Sequence, residues 1–322
     1  MSDVFLTGGS GFLGGGILRR LIADGHRVRA LARSDEAEAV VAAAGAAPVR
    51  GDLQETGPWT DALSGCSMVF HVAGRVAMCE PSRLEVNVAG TRAIIEAAAS
   101  AGVPRFVFTS SAATIGEARG EVGTEATPHP GKYLSPYARS KHEAELLAFA
   151  GGRRLGVEVV SVNPSSVQGP GRTHGSARIF IGYLQGRLRW AVKTRLPLVS
   201  IEDAVEAHVL AAERGRPGER YLISGWNPTV QEAVDLLAAV GGVEHRVRYL
   251  PWWLFTAGAA MVEGLWRLAG KLPPYCRAMA REVRHGHRLD GSKAERDLGL
   301  VYTPPEKWLA ETVEWYRAQG VV

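Results

Sequence analysis

Apolar residues fall along this chain in short uninterrupted runs that alternate with longer stretches of helical periodicity. The first run, Val4–Leu6, leads through a glycine-rich turn into a stretch with Ile17, Leu18, Leu21 and Ile22 on one helical face. Uninterrupted runs indicate strands buried on both faces, and their alternation with helices predicts an α/β fold with a parallel sheet. The further predicted strands are Val28–Arg33, Pro48–Asp52, Ser67–Ala73, Arg105–Thr109 and Val157–Val162, and the helices between them are Asp35–Ala44, Thr60–Leu63, Leu84–Ala101 and Tyr137–Ala150.

The turn after the first strand carries four glycines at informative positions. Gly8 and Gly9 allow the chain to turn tightly after the strand. Gly11 leaves room for a pyrophosphate to approach the backbone, and Gly14 allows the helix to pack close to the strand. The free N–H groups of that helix would face the phosphates. Strand, turn and helix in this order predict a dinucleotide site, although a plain tight turn also uses glycines.

The pattern changes after Pro164, where glycine, proline and arginine cluster as far as Arg189. We therefore predict a dinucleotide-binding domain of the Rossmann type, a doubly wound parallel sheet, over residues 1–165. Residues 166–322 are expected to form a smaller, mainly substrate-binding lobe, with about 196–225 returning to the main sheet. The elements predicted there are the strands Leu196–Ile201 and Arg220–Ile223 and the helices Asp203–Arg214, Gln231–Val240, Leu254–Leu268 and Glu306–Ala318.

Composition and charge narrow the function classes. The chain has 322 residues, of which 46% are hydrophobic and 22% charged, and a formal net charge of +4. No basic run accompanies this charge, so no nucleic-acid partner is expected, whereas a mild positive field favours an anionic cofactor. Cys66, Cys79 and Cys276 show neither disulfide nor metal-ligand spacing. They indicate no metal and a reducing, cytoplasmic location.

One stretch, Leu250–Leu268, is apolar enough to raise the question of a membrane. It contains Trp252, Trp253 and Phe255, but Glu263 interrupts it, and a spanning helix needs about 20 mainly apolar residues. We expect no integral membrane segment and a buried or pocket-lining helix. Contact of this helix with a membrane surface is the alternative.

A tyrosine and a lysine stand at positions i and i+4, Tyr137 and Lys141, which share one helix face. A lysine cation lowers the pKa of a nearby phenol, and the phenol can then exchange a proton with a carbonyl oxygen during hydride transfer. Ser110 and Ser111 follow the predicted strand Arg105–Thr109 at the edge where such sheets bind ligands. A serine there can stabilise charge on a substrate oxygen. A surface Tyr/Lys pair and serines of an ordinary turn are the alternatives.

These features, in this order and spacing, resemble the extended short-chain dehydrogenase/reductase family over nearly the whole chain. Further motifs that carry the resemblance are Gly51–Leu53, His71–Gly74, Val86–Thr91, Asn163–Gly171, Ser200–Ala204, Ser292–Gly299 and Glu314–Tyr316. The resemblance implies hydride transfer between a nicotinamide cofactor and a ketone or secondary alcohol. The branches with a similar pattern are dihydroflavonol reductase-like, hydroxysteroid dehydrogenase-like and hopanoid-associated sugar epimerase-like proteins.

The resemblance also implies roles for individual residues. Ser111 corresponds to the catalytic serine, with Ser110 as the fallback, Tyr137 to the acid/base, and Lys141 to the group that tunes it. Asn87 either supports the site and the cofactor or makes a buried helix-to-strand hydrogen bond with no share in catalysis. The expected cofactor-binding residues are Gly8, Gly11, Phe12, Leu13, Gly14, Arg33, Ser34, Asp52, Leu53, Ala73, Asn87, Tyr137, Lys141, Pro164 and Val167.

Two departures from the family pattern bear on the reaction. Ile115 is aliphatic where sugar epimerases of the family often carry an aromatic residue. The following segment shows no acidic pair of the kind that dehydratases use, and we interpret Glu117, Glu121 and Glu125 as loop charges. Both departures favour simple carbonyl/alcohol chemistry on a hydrophobic small molecule. A sugar-nucleotide epimerase or dehydratase is the first alternative, and a non-catalytic nucleotide-sensing protein is the second.

The end of the second strand bears on the choice of cofactor. Sites for NAD usually place an acidic residue there, about 20 residues beyond the glycines, but this chain has Ala32 followed by Arg33 and Ser34. A guanidinium can bind a 2′-phosphate through two hydrogen bonds, so NADP(H) is favoured and NAD(H) is possible. Asp35 and Glu36 are interpreted as N-terminal charges of the next helix.

A homodimer is also expected. In the family that the chain resembles, the helices corresponding to Leu84–Ala101 and Tyr137–Ala150 commonly pair across a two-fold axis. The apolar side chains of Leu146, Leu147 and Phe149 could serve either the sheet or such a partner.

Overall fold

The computed structural model describes residues 1–55 and 57–322. Its strands are β1 (Asp3–Thr7), β2 (Arg27–Ala32), β3 (Ala47–Arg50), β4 (Met68–His71), β5 (Arg105–Thr109), β6 (Glu158–Pro164), β7 (Ser166–Gln168), β8 (Trp190–Ala191), β9 (Leu198–Ser200), β10 (Arg220–Ile223) and β11 (Arg248–Tyr249). Seven of them form one sheet in the order β10-β6-β5-β4-β1-β2-β3, in which every neighbouring pair is parallel. The predicted doubly wound parallel sheet is confirmed.

Helices cover both faces of this sheet because its strands carry apolar side chains on both sides. The helices are α1 (Phe12–Ala23), α2 (Asp35–Ala43), α3 (Glu85–Ser100), α4 (Pro136–Leu155), α5 (Ala177–Leu184), α6 (Ile201–Arg214), α7 (Val230–Gly241), α8 (Trp252–Leu268), α9 (Arg277–His285), α10 (Ser292–Leu298) and α11 (Pro305–Ala318). In β1, Val4 and Leu6 belong to the core under α1, α2, α6 and α10, whereas Phe5 belongs to the core under α3 and α4. Successive side chains of a strand point to opposite faces, so a doubly covered sheet requires uninterrupted apolar runs.

A third apolar core lies outside the main sheet, among α5, α7 and α11. Phe180, Leu237 and Trp308 are buried there. Within residues 196–225, β9 pairs with β7 in a separate two-stranded sheet, whereas β10 is the edge strand of the main sheet beside β6. The strand β9 is shorter than predicted because Ser200 caps α6, its hydroxyl accepting a hydrogen bond from the Asp203 N–H at 2.9 Å.

The expectation that the cysteines form no disulfide is wrong. Cys79 and Cys276 are bonded to each other, with Cα atoms 5.7 Å apart, and Cys66 is free and buried. The bonded pair is separated by 197 residues, so spacing carried no signal. The fold brings the segment after β4 against the N-cap of α9, which is Cys276. Because disulfides are rare in a reducing cytoplasm, the cysteines no longer support that location.

The helix α8 is mostly exposed, so the expectation that it is buried is wrong. Trp253 is 70% exposed, and the buried residues of the helix are Ala259 and Glu263. Glu263 turns inward because its carboxylate accepts hydrogen bonds from the backbone and side chain of Arg277. Across residues 1–55 and 57–322, no helix is both long enough and apolar enough to cross a membrane.

Candidate active site

The glycine-rich turn between β1 and α1 leaves an open backbone surface. Gly8 has a φ of +79°, which side-chain-bearing residues rarely adopt. A Cβ on Gly14 would lie 2.0 Å from the Gly8 carbonyl oxygen, so α1 approaches the strand only with glycine at that position. A Cβ on Gly11 would meet that same oxygen at 3.3 Å and otherwise open space. This surface, with the first N–H groups of α1 at Phe12 and Leu13, fits a dinucleotide pyrophosphate.

Arg33 is exposed where β2 ends, next to the start of α2. The Ser34 hydroxyl accepts a hydrogen bond from the Ala37 N–H at 3.3 Å and so caps the helix. Asp35 pairs with Arg50 at 2.6 Å, as a charge of the helix start rather than a partner of Arg33. Arg33 therefore directly precedes the N-cap of α2 and is exposed, as binding of a 2′-phosphate would require.

Ser111, Tyr137 and Lys141 converge at the carboxyl end of β5. Ser111 begins the short 3₁₀ turn Ala112–Thr114, which its hydroxyl caps. Tyr137 and Lys141 lie one turn apart at the start of α4. Lys141 is 5% exposed and donates a hydrogen bond to the Thr109 carbonyl at 2.6 Å. The Ser111 hydroxyl is near enough to the Tyr137 phenol to lower the pKa of that phenol. A substrate oxygen bound to the phenol would therefore meet a hydroxyl and a proton donor together.

Burial raises the pKa of the Tyr137 phenol. The Ser111 hydroxyl and the charge of Arg172 act in the opposite direction, whereas Glu282 raises this pKa further. Burial also lowers the pKa of Lys141 to about 8. The phenol thus holds its proton firmly at neutral pH, because burial disfavours the phenolate.

Asn87 joins the segment after β4 to the helix that carries the tyrosine. Its Oδ1 accepts a hydrogen bond from the Arg75 N–H at 2.7 Å, and its Nδ2 donates to the Arg75 carbonyl at 3.0 Å. Nδ2 also donates to the Ser140 hydroxyl at 2.9 Å. These buried bonds hold the loop around Gly74 beside Lys141, whose Nζ would stand 3.6 Å from a Cβ on Gly74.

His71 connects three elements beneath the site, a role that the sequence analysis missed. Its Nδ1 lies 2.7 Å from the Thr7 hydroxyl and its Nε2 lies 3.0 Å from the Thr91 hydroxyl. Because Thr91 donates its proton to the Asn87 carbonyl, it must accept from Nε2–H, and Nδ1 must accept from Thr7. Thr7 also accepts a hydrogen bond from the Ala73 N–H at 3.2 Å. Burial lowers the pKa of His71 to about 3, which keeps this network neutral.

The remaining predicted site residues that we describe, Ser110, Pro164, Val167, Asp52 and Leu53, differ in how deeply they are buried. Pro164 ends β6, and the buried Ser110 hydroxyl has no hydrogen-bond partner in the part of the chain that the structure describes. Val167 lies in β7 and is buried in the core under α1 and α6. Leu53 is buried, and the Asp52 carboxylate accepts a backbone hydrogen bond at 3.0 Å in the turn after β3.

Arg172 brings a positive charge to the glycine-rich turn, and no motif singled it out. Its guanidinium lies 5.4 Å from the ring centroid of Phe12, at the start of α1. Its Nε is buried without a hydrogen-bond partner among the described residues. The Tyr316 hydroxyl fixes its backbone by donating to the Arg172 carbonyl at 2.7 Å. Burial of its charge lowers the pKa of Arg172. An anion that enters the site would offset this cost, so the guanidinium is suited to bind one.

Glu117 is a buried member of a histidine–carboxylate cluster, so its interpretation as a loop charge is wrong. Its Oε1 lies 2.6 Å from Nδ1 of His287 and 3.4 Å from Nε2 of His285. Nε2 of His287 lies 3.0 Å from Oε2 of Glu282. Glu282 in turn accepts the hydroxyl proton of Ser135, the N-cap of α4. These contacts form only after the C-terminal segment has folded onto the loop after β5.

The cluster is strongly ionic. Burial alone would raise the pKa of Glu117, but hydrogen bonds from His285 and His287 lower it to about 2. Burial alone would lower the pKa of His287, but Glu117 and Glu282 raise it to about 9. One potential metal-ligand atom from each of Glu117, His285 and His287 lies within 4.8 Å of the other two, as metal binding would need. In this structure these side chains are instead bound to one another. Glu125 is also partly buried and accepts the Leu222 N–H at 2.8 Å.

Known proteins resemble this chain in sequence and in structure. The sequence profile of the family described as "NAD dependent epimerase/dehydratase family" matches residues 4–224. Sterol demethylase protein B of Methylococcus capsulatus is 31% identical over 329 residues, which cover 98% of this chain and 99% of that protein. The 4-hydroxy-2-methyl-3-oxo-4-farnesyl-3,4-dihydroquinoline-1-oxide ketoreductase of Stigmatella aurantiaca is 32% identical over 314 residues, with 92% and 91% coverage. The crystal structure of gox2253 matches with a TM-score of 0.87 at 28% identity and covers 100% of both chains.

Proposed function

Because the chain belongs to the NAD dependent epimerase/dehydratase family, in the extended short-chain dehydrogenase/reductase superfamily, we propose that it interconverts a ketone and a secondary alcohol of a hydrophobic small molecule. It is an enzyme of the oxidoreductase type, and its family depends on a nicotinamide cofactor. The observation that carries the proposal is the convergence of Ser111, Tyr137 and Lys141 at the carboxyl end of β5. The names of the two relatives, a sterol demethylase protein and a ketoreductase for a farnesylated compound, support an apolar substrate.

The side chains of the site supply the proton and the stabilisation of charge. When bound, a nicotinamide cofactor would supply hydride exchange with the carbon that bears the substrate oxygen. In reduction, Tyr137 donates its phenolic proton to the substrate oxygen as negative charge develops there, and in oxidation it takes the proton back. Ser111 donates a hydrogen bond to the same oxygen. Lys141 would hold the cofactor's ribose, and its positive charge would favour the phenolate that is left after proton transfer.

The cofactor proposed here is NADP(H). Gly8, Gly11 and Gly14 leave the backbone open to the pyrophosphate, and Arg172 can add a charge-assisted hydrogen bond to it. Arg33 supports the choice of NADP(H) over NAD(H), because the acidic residues at the start of α2 pair with Arg50 instead.

A second candidate is a sugar-nucleotide epimerase or dehydratase, in which the hydride returns to the substrate. The burial of Glu117 a few residues beyond Ser111 favours it, since this places ionisable groups where dehydratases of the family often use them. The two candidates differ in stoichiometry. A reductase consumes one cofactor for each product formed, whereas an epimerase or dehydratase turns over without net change of the cofactor.

The proposed assembly is a homodimer. The helices α3 and α4 pack side by side on one face of the sheet, and Leu146 on the outer side of α4 is 54% exposed. Two copies of this pair can form a four-helix contact across a two-fold axis.

The test of the proposed function is Tyr137→Phe, assayed against a panel of apolar ketones with NADPH. We expect turnover to fall by about a hundredfold to ten-thousandfold, the range for loss of a positioned acid, with little change in NADPH affinity. Tyr275→Phe, a change at an exposed tyrosine, is the matched control and should keep full activity. Near-normal turnover of Tyr137→Phe would contradict the proposal.

A further inference from the structure

The helix α8 presents an apolar face to the outside from one end to the other. Its exposed positions Trp253, Met261, Leu265 and Leu268 recur at helical spacing. The positions between them on that face are Ala257, Ala260 and Gly264, which are small. Helices on a protein surface ordinarily turn their polar side outward. In α8 the order is reversed, since its charged Glu263 is buried and its apolar side is exposed.

Residues just beyond the helix extend this face into what we name the α8 patch. Its members are Trp253, Leu254, Met261, Leu265, Trp266, Leu268, Leu272 and Tyr275, whose exposed fractions run from 42% to 87%. Isolated exposed apolar residues are common on proteins, but a contiguous group of this kind indicates an interaction surface. Tryptophan and tyrosine are enriched where protein meets the interface between lipid and water.

The charges in the segment that carries the α8 patch are almost all positive. Residues 252–281 contain four basic side chains, Arg267, Lys271, Arg277 and Arg281, and one acidic side chain, Glu263. Glu263 is neutralised, because its carboxylate pairs with Arg267 at 2.9 Å and with Arg277 at 3.2 Å. An anionic partner surface would therefore meet a net positive charge from this segment.

We propose that the α8 patch docks this protein onto the surface of an anionic lipid bilayer, with α8 lying in the interface. An interfacial helix needs an apolar face, flanking cations and aromatic residues, and α8 with its neighbours supplies all three. A second copy of the chain fits less well, because it would bring a surface of the same positive sign to the contact instead of an opposite one. The inference does not depend on the proposed reaction.

The position of α8 gives the docking a consequence for the site. The helix packs on α9, and the segment that begins with α9 supplies Glu282 and His287 to the cluster at the N-cap of α4. The bilayer surface would therefore lie one helix away from the helix that carries Tyr137.

The test is flotation of the full chain with vesicles of phosphatidylcholine plus phosphatidylglycerol, compared with phosphatidylcholine alone. We expect binding to the anionic vesicles, weakened by salt. The variant Met261→Ser/Leu265→Ser/Leu268→Ser should bind at least about tenfold more weakly, since partition scales with buried apolar area. Val301→Ser, at an 83% exposed residue outside the patch, is its control and should bind as wild type does. Arg267→Gln/Lys271→Gln should also lose about thirtyfold, whereas Arg153→Gln should not.

A second measurement keeps the test decisive if the triple variant does not fold. Brominated phosphatidylcholine in the anionic vesicles should quench the tryptophan fluorescence of the wild type, and the single variant Trp253→Phe should lose part of that quenching. Absence of wild-type binding to anionic vesicles would overturn the inference. Equal binding of the patch variants and their controls, or a dimer in solution that the patch variants dissociate, would overturn it as well. Ketone reduction assayed without vesicles should stay unchanged in these variants, so failure of the docking and failure of the proposed function are distinguishable.

Discussion

Replacement of His287 by glutamine removes the positive charge from the centre of the histidine–carboxylate cluster. The imidazole lies between Glu117 and Glu282, at 2.6 Å and 3.0 Å, and its side chain is 17% exposed. Glutamine retains hydrogen-bonding groups of similar reach but cannot become a cation. The variant therefore leaves two carboxylates near each other without their counter-charge, one of them almost fully buried.

The magnitude follows from the displaced pKa values. The pKa of His287 rises from 6.5 to about 9, and that of Glu117 falls from 4.5 to about 2. Either displacement corresponds to about 3 kcal/mol, at 1.36 kcal/mol for each pH unit. Both describe largely the same ion pair, so they are not added. We expect His287→Gln to lower the free energy of unfolding by about 3 kcal/mol near pH 6.

The stabilisation must depend on pH in a definite direction. A raised histidine pKa stabilises the fold fully below 6.5, and this contribution is lost as the pH rises through about 9. A lowered carboxyl pKa stabilises the fold fully above 4.5, and this contribution is lost as the pH falls through about 2. The ion pair therefore stabilises the fold most between pH 4.5 and pH 6.5, and little in strong alkali.

The measurement is urea unfolding of the wild type and His287→Gln at about pH 6 and about pH 10, on either side of the raised pKa. The difference between the two proteins should shrink toward zero at the higher pH. His174→Gln, at an exposed histidine outside the cluster, is the control and should match the wild type at both. A difference below about 1 kcal/mol near pH 6, the size of an exposed ion pair, or an equal difference at both pH values, would refute the reasoning.

Three further predictions test the cofactor, the disulfide and the assembly. Arg33→Asp should weaken NADP(H) about tenfold to a hundredfold in a direct titration and leave NAD(H) equal or better; tighter binding of NAD(H) by the wild type would show that strand two is misinterpreted. Thiol titration in denaturant should find Cys66 as the free thiol of the unreduced chain, and Cys79→Ser should lower the free energy of unfolding by about 2–4 kcal/mol; three reactive thiols in the unreduced wild type would exclude the disulfide. Light scattering should give the mass of a dimer for the wild type and of a monomer for Leu146→Glu, and a monomeric wild type would contradict the proposed assembly.

The sheet could be predicted from the sequence because its signal is local. Val4, Phe5 and Leu6 are all buried, on alternating faces, and that requirement leaves an uninterrupted apolar run in the sequence. The glycine-rich turn is local as well, since Gly8 and Gly14 contact each other within one turn and helix start. Physical rules that act within about ten residues can be applied to a sequence without knowledge of the fold.

The parts that could not be predicted depend on contacts between distant residues. Glu117 and His287 are 170 positions apart, and neither has a neighbour in sequence that reveals the other. A glutamate in a loop is ordinarily solvated, so a loop charge was the reasonable interpretation until the fold supplied two histidines. The same holds for Cys79 and Cys276, whose separation of 197 residues gives no spacing motif.

The helix α8 shows a different limit. Its sequence predicts a helix, but it does not predict which side of that helix faces the rest of the protein. Helical periodicity identifies the apolar face of a helix, but it does not identify what that face packs against. For most helices the answer is the protein's own core. In α8 the opposite side carries Glu263, and this carboxylate is held inside by the backbone N–H of Arg277, at 2.8 Å. The contacts of Glu263 with Arg277 and Arg267 thus hold this side of α8 inward. The apolar side is then left on the surface, which is why a pattern that predicts burial here produces an exposed patch.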